Sequence, residues 1–103
     1  VNDKDIQLAI NLIIQEKGGI SLAQNGIGEV LALPVAGIMS NENGEVVAER
    51  YEAMDKKAKE LGSTLTAPYM TLSFCALLVI PQLKLSDKGL FDGNTFNFVS
   101  LYK

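Results

Sequence analysis

Few side chains in this sequence have the types and spacing that catalysis needs, and the chain contains no histidine. Without histidine, neither a Ser-His-Asp triad nor a Cys-His pair can be assembled. The most suggestive carboxylates are Asp87 and Asp92, which flank a glycine-containing turn and could act as an acid–base pair. Turn formation explains both residues better, because Asp side chains bond to nearby backbone in turns. The residues therefore predict a domain without catalytic, cofactor-binding or metal-binding side chains.

Glycines and lysines form two further groups with the composition of a ligand site. Gly26 and Gly28 could cradle a phosphate, but the third glycine and the following helix of a dinucleotide site are missing. Asn25-Gly26 is instead predicted to be a hairpin turn. A lysine cluster is surrounded by acidic residues, which predicts a solvated helix face; it comprises Lys56, Lys57 and Lys59.

The single cysteine, Cys75, lies in an apolar run and cannot form an internal disulfide. We expect it to be buried as a small hydrophobic residue, since a catalytic thiolate needs a base such as histidine. A cysteine framework and a signal segment are both missing, and the first residue is Val1 rather than Met. These features indicate a fragment of a longer, cytoplasmic protein.

Length and composition indicate one domain over residues 1–103, with 48% apolar and 20% charged residues. The net charge of −3 disfavours nucleic acid and an anionic membrane as partners, because both attract basic patches. The longest apolar run is too short to span a bilayer, which takes about 20 residues.

The hydrophobic spacing predicts two helices and a hairpin in the first two thirds of the chain. Apolar residues recur every three to four positions over residues 3–17, with Asn2 or Asp3 as the cap, and Gly18-Gly19 marks the end of this helix. Residues 20–24 and 29–33 are predicted to be antiparallel strands. A bend at residues 34–39 leads to the second helix, which ends at Gly62. Its candidate caps are Ser40, Asn41 and Asn43, and its apolar seam is Val47, Tyr51, Met54, Ala58 and Leu61.

Residues 68–85 are the most apolar stretch, and we expect them to form the centre of the fold. Residues 74–80 carry no charge and are predicted to be buried on both sides, as a strand or as a buried helix. Leu83 and Leu85 alternate with polar residues, which predicts an inward apolar face. Turns follow, and residues 96–102 read as a last strand. The predicted fold class is α+β, with two helices packed on a mostly antiparallel β-sheet in the order helix, hairpin, helix, strands.

The central stretch contains two distinctive motifs, MTLSF at residues 70–74 and VIPxLKLxDxGL at residues 79–90. Through these motifs it resembles a known family, the C-terminal domain of bacterial adenine deaminases. The family sequence runs approximately PFMTLSFxALPVIPxLKLTDxGL, and this chain departs from it at Tyr69, Leu78 and Ser86. LPVAGIMS at residues 33–40 resembles the family's LPIAGLMS, so the likeness covers nearly the whole chain.

The resemblance implies a function that the residues alone do not indicate. Adenine deaminases belong to the amidohydrolase superfamily and hydrolyse adenine to hypoxanthine and ammonia. Their manganese or iron is held by histidines and acids of a (β/α)8 barrel that precedes this domain. None of these ligands maps onto this chain, so the resemblance implies an inactive accessory domain whose partner is the barrel of the same polypeptide. Formation of a homo-oligomer is a further expectation.

We expect the face toward the barrel to include Met70, Thr71, Ser73 and Phe74, because this segment combines an apolar edge with hydroxyls. Packing inside the domain explains the same residues equally well. The alternative function is a free-standing, non-catalytic module that binds a purine or associates with itself.

Overall fold

The computed structural model describes residues 2–102, and these residues form two compact units. The first unit extends to Thr64 and the second begins at Leu65. The first contains α1 (Asp3–Glu16), β1 (Gly19–Gln24), β2 (Ile27–Ala32) and α2 (Gly44–Glu60). The second contains α3 (Pro68–Ser73), a short 3₁₀ helix (Phe74–Ala76), β3 (Leu83–Ser86), β4 (Gly89–Asp92) and β5 (Asn97–Val99).

The α+β class is confirmed, but the predicted arrangement of two helices on one sheet is wrong. The described residues form three α-helices and two separate antiparallel sheets, β1-β2 and β3-β4-β5. The sequence pattern could not separate the two sheets, because periodicity shows which residues form a strand and not which strands pair.

Helix α1 begins and ends close to where the sequence predicted. The Asn2 side chain accepts a hydrogen bond from the backbone N–H of Asp5 at 2.9 Å, which confirms Asn2 as the cap. The helix stops at Glu16, because Lys17 adopts the left-handed conformation with φ of 59°. The backbone N–H of Gly18 then donates to the carbonyl of Ile13 at 3.1 Å and closes the helix end.

The predicted hairpin is confirmed, with a tighter turn than expected. Gln24 pairs with Ile27, so the loop is only Asn25-Gly26, and both of these residues have positive φ. The Asp5 carboxylate of α1 accepts hydrogen bonds from the backbone N–H groups of Asn25 (3.0 Å) and Gly26 (2.8 Å). These bonds, the one from Gly26 foremost, hold the pKa of Asp5 below its ordinary value.

The hairpin lies between α1 and α2, and its two faces carry side chains of different size. One face carries Val30 and five small residues, which are Gly19, Ser21, Ala23, Gly28 and Ala32. On this face the Ser21 hydroxyl donates to the α1 carbonyl of Ala9 at 2.8 Å, and a Cβ at Gly28 would lie 2.6 Å from Leu12 Cδ1. A larger residue at this position would have to displace the side chains of Leu8 and Leu12. The opposite face carries Leu31, which is 1% exposed, and Glu29, which forms an ion pair with Lys57 of α2.

Residues 33–43 form the predicted bend between the hairpin and α2. Val35 and Met39 form an isolated bridge, and the backbone passes so close to Gly18 that a Cβ there would lie 2.2 Å from Gly37 Cα. Of the three candidate caps for α2, Asn43 does the capping, by accepting from the backbone N–H of Glu45 at 2.8 Å.

The predicted seam of α2 is confirmed in its centre. Met54 is 4% exposed, and Val47, Tyr51 and Ala58 are half-buried. Leu61 lies beyond the last turn and is 42% exposed, so the prediction that it belongs to the seam is wrong. The guanidinium of Arg50 donates to the Val30 carbonyl of β2 at 3.1 Å and so fastens α2 to the hairpin.

The prediction that residues 68–85 form a buried centre is wrong. Pro68 occupies the first turn of α3, and the chain then passes through the 3₁₀ helix into an irregular segment. Within the run expected to be buried on both sides, Phe74, Leu77 and Val79 are between 46% and 55% exposed. The second unit has only roughly 40 residues, a size that buries little of its own apolar surface.

The three-stranded sheet of the second unit buries Phe91 beneath two more exposed rings, Phe96 and Phe98. Cross-strand register places Lys84, Phe91 and Phe98 on one face. Phe91 is 8% exposed, and its ring meets those of Phe96 and Phe98 edge-on, with ring centroids 5.3 Å apart in each pair. The predicted last strand is present but short, since β5 covers only Asn97–Val99.

We predict that Gly18→Ala destabilises the protein by at least about 3 kcal/mol, because its Cβ would enter the backbone of Gly37. The matched control is Gly44→Ala at the first position of α2, where a Cβ meets nothing within 4 Å. That change should be neutral or stabilising. Urea unfolding followed by circular dichroism measures the stability of both variants. Equal stabilities of the two variants would contradict the close approach of the backbone at Gly18 to that at Gly37.

We also predict that Asp5→Asn destabilises the protein in a pH-dependent way. Because the folded-state pKa of Asp5 is lowered, its contribution is fully present above the unfolded pKa of about 4 and is lost as pH falls through the lower folded value. The difference in unfolding free energy between wild type and Asp5→Asn should therefore disappear in acid. Asp3→Asn, two residues earlier in α1 and not bonded to the hairpin turn, is the control that removes a carboxylate from the same end of the helix.

Candidate functional site

The described residues contain no group of three or more His, Cys, Asp or Glu side chains that could hold a metal ion. Cys75 is exposed, so the prediction that it is a buried hydrophobic residue is wrong. It lies in the 3₁₀ helix, which stays at the surface of the small second unit. The described part of the chain also has no helix that is both long and apolar enough to cross a bilayer.

The two candidate carboxylates, Asp87 and Asp92, lie at opposite ends of the β3-β4 hairpin. Asp87 is in the turn after Ser86, whereas Asp92 pairs with Leu83 at the far end of the ladder. Four-residue strands separate them by on the order of 10 Å. Asp92 accepts from the backbone N–H of Asn94 at 2.8 Å, and this bond is the first cause of its lowered pKa. Both residues thus build turns and do not form an acid–base pair.

The turn at Asn25-Gly26 binds an anion, but that anion is the chain's own carboxylate. Both backbone N–H groups point at Asp5, which fills the position that a phosphate would need. The phosphate-cradling alternative for Gly26 and Gly28 therefore has no support from the geometry.

The lysine cluster is engaged in ion pairs, as a solvated helix face predicts. Lys59 pairs with Asp55, four residues earlier on α2, at 2.5 Å. Lys56 lies 4.0 Å from Glu60, and Lys57 pairs with Glu29 of β2. With each charge compensated, this face does not offer a basic patch to nucleic acid.

The segment expected to face a partner domain forms α3 and exposes its apolar side chains. Met70 is 55% exposed and Phe74, just beyond the helix, is 49% exposed. The hydroxyls are satisfied locally: Thr71 donates to the carbonyl of Ala67 at 2.9 Å and Ser73 to that of Met70 at 2.7 Å. These hydroxyls therefore do not need a partner from another domain, and the face predicted to meet that domain stays a prediction. Their apolar neighbours remain the candidate contact.

A second exposed apolar surface was missed by sequence reasoning. Register places Leu83, Leu85, Leu90 and Val99 on the side of the three-stranded sheet away from Phe91, and we call this set the outer sheet face. Leu83 is 54% and Leu85 71% exposed, whereas Lys84 between them is half-buried. The predicted inward direction of the two leucines is thus reversed. Alternation alone could not reveal this, because it gives the period and not which face is covered.

The exposed apolar side chains around α3 are the candidate contact surface of the second unit. Met70, Leu72 and Phe74 expose about half or more of their area, and the 3₁₀ helix after α3 contacts β3. Contiguous exposed apolar patches on a monomer mark contact sites.

Comparison with known proteins gives a consistent result. The family model of the adenine deaminase C-terminal domain matches residues 1–97. An adenine deaminase of Salinibacter ruber is 54% identical over 101 residues, which cover 97% of this chain and 18% of that protein. An adenine deaminase of Sulfurovum sp. is 54% identical over 99 residues, 95% of this chain and 19% of that protein. The chain thus spans less than a fifth of the length of these relatives, and no solved structure matches it.

We predict that Leu85→Thr changes the unfolding free energy of this chain by less than about 0.5 kcal/mol, because the side chain is 71% exposed. Phe91→Ala, on the buried face of the adjacent strand, should cost about 3 kcal/mol. Denaturant unfolding of both variants measures the contrast. A large loss of unfolding free energy in Leu85→Thr would show that Leu85 points inward, as the sequence predicted.

Proposed function

Because this chain belongs to the family of adenine deaminase C-terminal domains, we propose that it is the accessory domain of an enzyme that hydrolyses adenine to hypoxanthine and ammonia. The observation that carries the proposal is the match over nearly the whole chain to relatives that are about five times as long. In this proposal the complete polypeptide is a cytoplasmic hydrolase, and this domain contributes structure rather than catalysis.

The catalytic metal belongs to the remainder of the polypeptide. The family resemblance implies manganese or iron, but this chain has no histidine, and its described residues form no ligand cluster. These residues do not fit a divalent metal of that kind, which is usually held by several converging His and carboxylate ligands. We therefore assign no step of the hydrolysis to any side chain of this domain.

The role that remains is to cover or brace the catalytic part, and the second unit carries the surface for it. In our proposal, this surface contacts the remaining four-fifths of the same polypeptide, which is the barrel that the resemblance implies. Apolar side chains at 49% to 71% exposure would become buried there, among them Met70, Phe74 and Leu85. Covalent linkage makes such a contact effectively intramolecular, so a surface of modest size is sufficient.

The alternative of a free-standing purine-binding module has little support from the surface. Two open concavities of about 350 and 230 Å³ lie near the hairpin tip. Their walls include Leu22, Ile27 and Leu61 in the larger and Ile6 and Ala23 in the smaller, without an aromatic ring that could stack on a base.

We predict that the complete polypeptide converts adenine to hypoxanthine and ammonia, loses this activity with a chelator and regains it with manganese or iron. Residues 1–103 alone should show no adenine loss. Release of both products is measured together, so that nonspecific adenine depletion is excluded. No conversion by the metal-loaded polypeptide, or conversion by this chain alone, would overturn the proposal.

The same assay tests the docking role with Phe74→Ala in the complete polypeptide. We expect lower thermal stability and lower activity per folded molecule, because the contact with the catalytic part is weakened. Ser73→Ala, which removes a hydroxyl that bonds within its own helix, is the comparison and should lower the activity less than Phe74→Ala. If Phe74→Ala lowers stability but not activity per folded molecule, the docking role is wrong.

A further inference from the structure

Each strand of the hairpin has one edge that faces away from the other strand. The backbone N–H of Leu33 donates to the carbonyl of Gly18 at 3.2 Å, and this pair continues the register of β1 with β2. Because every second pair of an antiparallel ladder is hydrogen-bonded, the even-numbered residues of β1 bond to β2. Ser21 and Ala23 therefore direct their backbone N–H and C=O groups away from β2, and we call these groups the β1 edge.

The edges of the two strands differ in how they are protected. On β2, the Arg50 guanidinium donates to the outward carbonyl of Val30 at 3.1 Å, and Glu29 places a charge on the strand. β1 contains no charged residue, no proline and no break in its register. Among the described residues, β2 is the one strand that pairs with it. Strand edges that lack charges, prolines and bulges accept a further strand, so the β1 edge is the place where this sheet can grow.

At Ala23, the β1 edge adjoins an open concavity of about 230 Å³. The apolar lining of this concavity includes Ile6 of α1 and Leu61, which follows α2, and these side chains are 46% and 42% exposed. Its polar lining is Gln24 and the Asp5 carboxylate that binds the hairpin turn. The side chains of a strand paired along the β1 edge would fill this space and bury both apolar residues.

We propose that the β1 edge pairs with a strand from the part of the same polypeptide that lies outside residues 1–103. In this arrangement the added strand donates hydrogen bonds to, and accepts them from, the backbone of both Ser21 and Ala23. Its residues beside Ala23 are apolar, since they meet Ile6 and Leu61 in the concavity. A ribbon of two strands is marginal in water, whereas three strands that share an apolar face are stable, so the added strand would complete the sheet of the first unit.

The length of the polypeptide selects the source of this strand. This chain covers only 18% and 19% of the two related adenine deaminases, so most of such a polypeptide is available to supply a strand. A covalently linked strand has an effective concentration on the order of millimolar, and it occupies the edge before a separate second copy does. The pairing presupposes the longer polypeptide of the proposed function, but neither its reaction nor the contacts of the second unit.

Residue-resolved hydrogen exchange tests the pairing without any substitution. In residues 1–103 alone, the amides of Ser21 and Ala23 should exchange fast, whereas the amide of Leu22, which bonds to β2, should exchange slowly. In the complete polypeptide, the amides of Ser21 and Ala23 should exchange at least roughly tenfold more slowly, because the added strand accepts their hydrogen bonds. This slowing should not depend on protein concentration, since the strand belongs to the same molecule.

Ala23→Pro separates strand pairing from simple covering of the edge. Proline lacks the N–H that the added strand needs, but it is tolerated where a strand's N–H points away from the sheet. In the complete polypeptide, this change should return the Ser21 amide to fast exchange, and slow exchange at Leu22 shows that the hairpin is intact. Ala23→Ser keeps the N–H at a similar size and is the matched control, in which Ser21 should stay slow. If Leu22 also exchanges fast, the hairpin has opened and the wild-type comparison alone decides.

Fast exchange of Ser21 and Ala23 in the complete polypeptide would overturn the proposal, and so would equally slow exchange in residues 1–103 alone. Slowing that increases with protein concentration would assign the edge to a second copy instead. Slow exchange of Ser21 in Ala23→Pro with an intact hairpin would show covering without pairing. A polypeptide that deaminates adenine but exchanges fast at both positions would leave the proposed function intact. Slow exchange in a polypeptide without that activity would overturn the proposed function alone.

Discussion

The close packing of α1 on the small-residue face of the hairpin is the contact on which the first unit depends. A two-stranded ribbon is marginal in water and must be covered on both faces. Gly28 and Ser21 lie against α1. On the side of α2, Leu31 is buried and Glu29 forms an ion pair with Lys57. Asp5 then joins the start of α1 to the tip of the ribbon through two backbone N–H groups. Removing the helix would expose strand backbone and apolar side chains together.

The second unit obeys a different constraint, which is its size. Its described residues bury only Pro68, Tyr69 and Phe91, and much of its apolar surface stays open. A chain of this length normally adds disulfides or metals to remain folded. This unit has a lone, exposed Cys75 and no ligand cluster in its described part. Burial by a neighbouring domain is a third way of obtaining the missing stabilisation, and it is consistent with membership in a family of C-terminal domains.

The sequence was most informative where the determinants of structure are local. The Asn2 cap, the Asn25-Gly26 turn and the Asn43 cap depend on residues within three positions of each other, and all are present. The prediction that residues 74–80 are buried failed, because burial depends on the rest of the chain and on the size of the unit. The family was found from the motifs at residues 70–90, and the comparisons confirm it. The contact residues Met70, Thr71, Ser73 and Phe74 stay a prediction, since no second domain is present to meet them.

The contacts of the hairpin also have a consequence for the order of folding. Ser21 bonds to a residue 12 positions earlier, and Gly26 to one 21 positions earlier. Short sequence separations keep the loop-closure entropy small and make folding fast. Residues up to Ala32 can therefore assemble early during synthesis, before the second unit has left the ribosome. Helix α1 would then be in place while the open surface of the second unit is still being made.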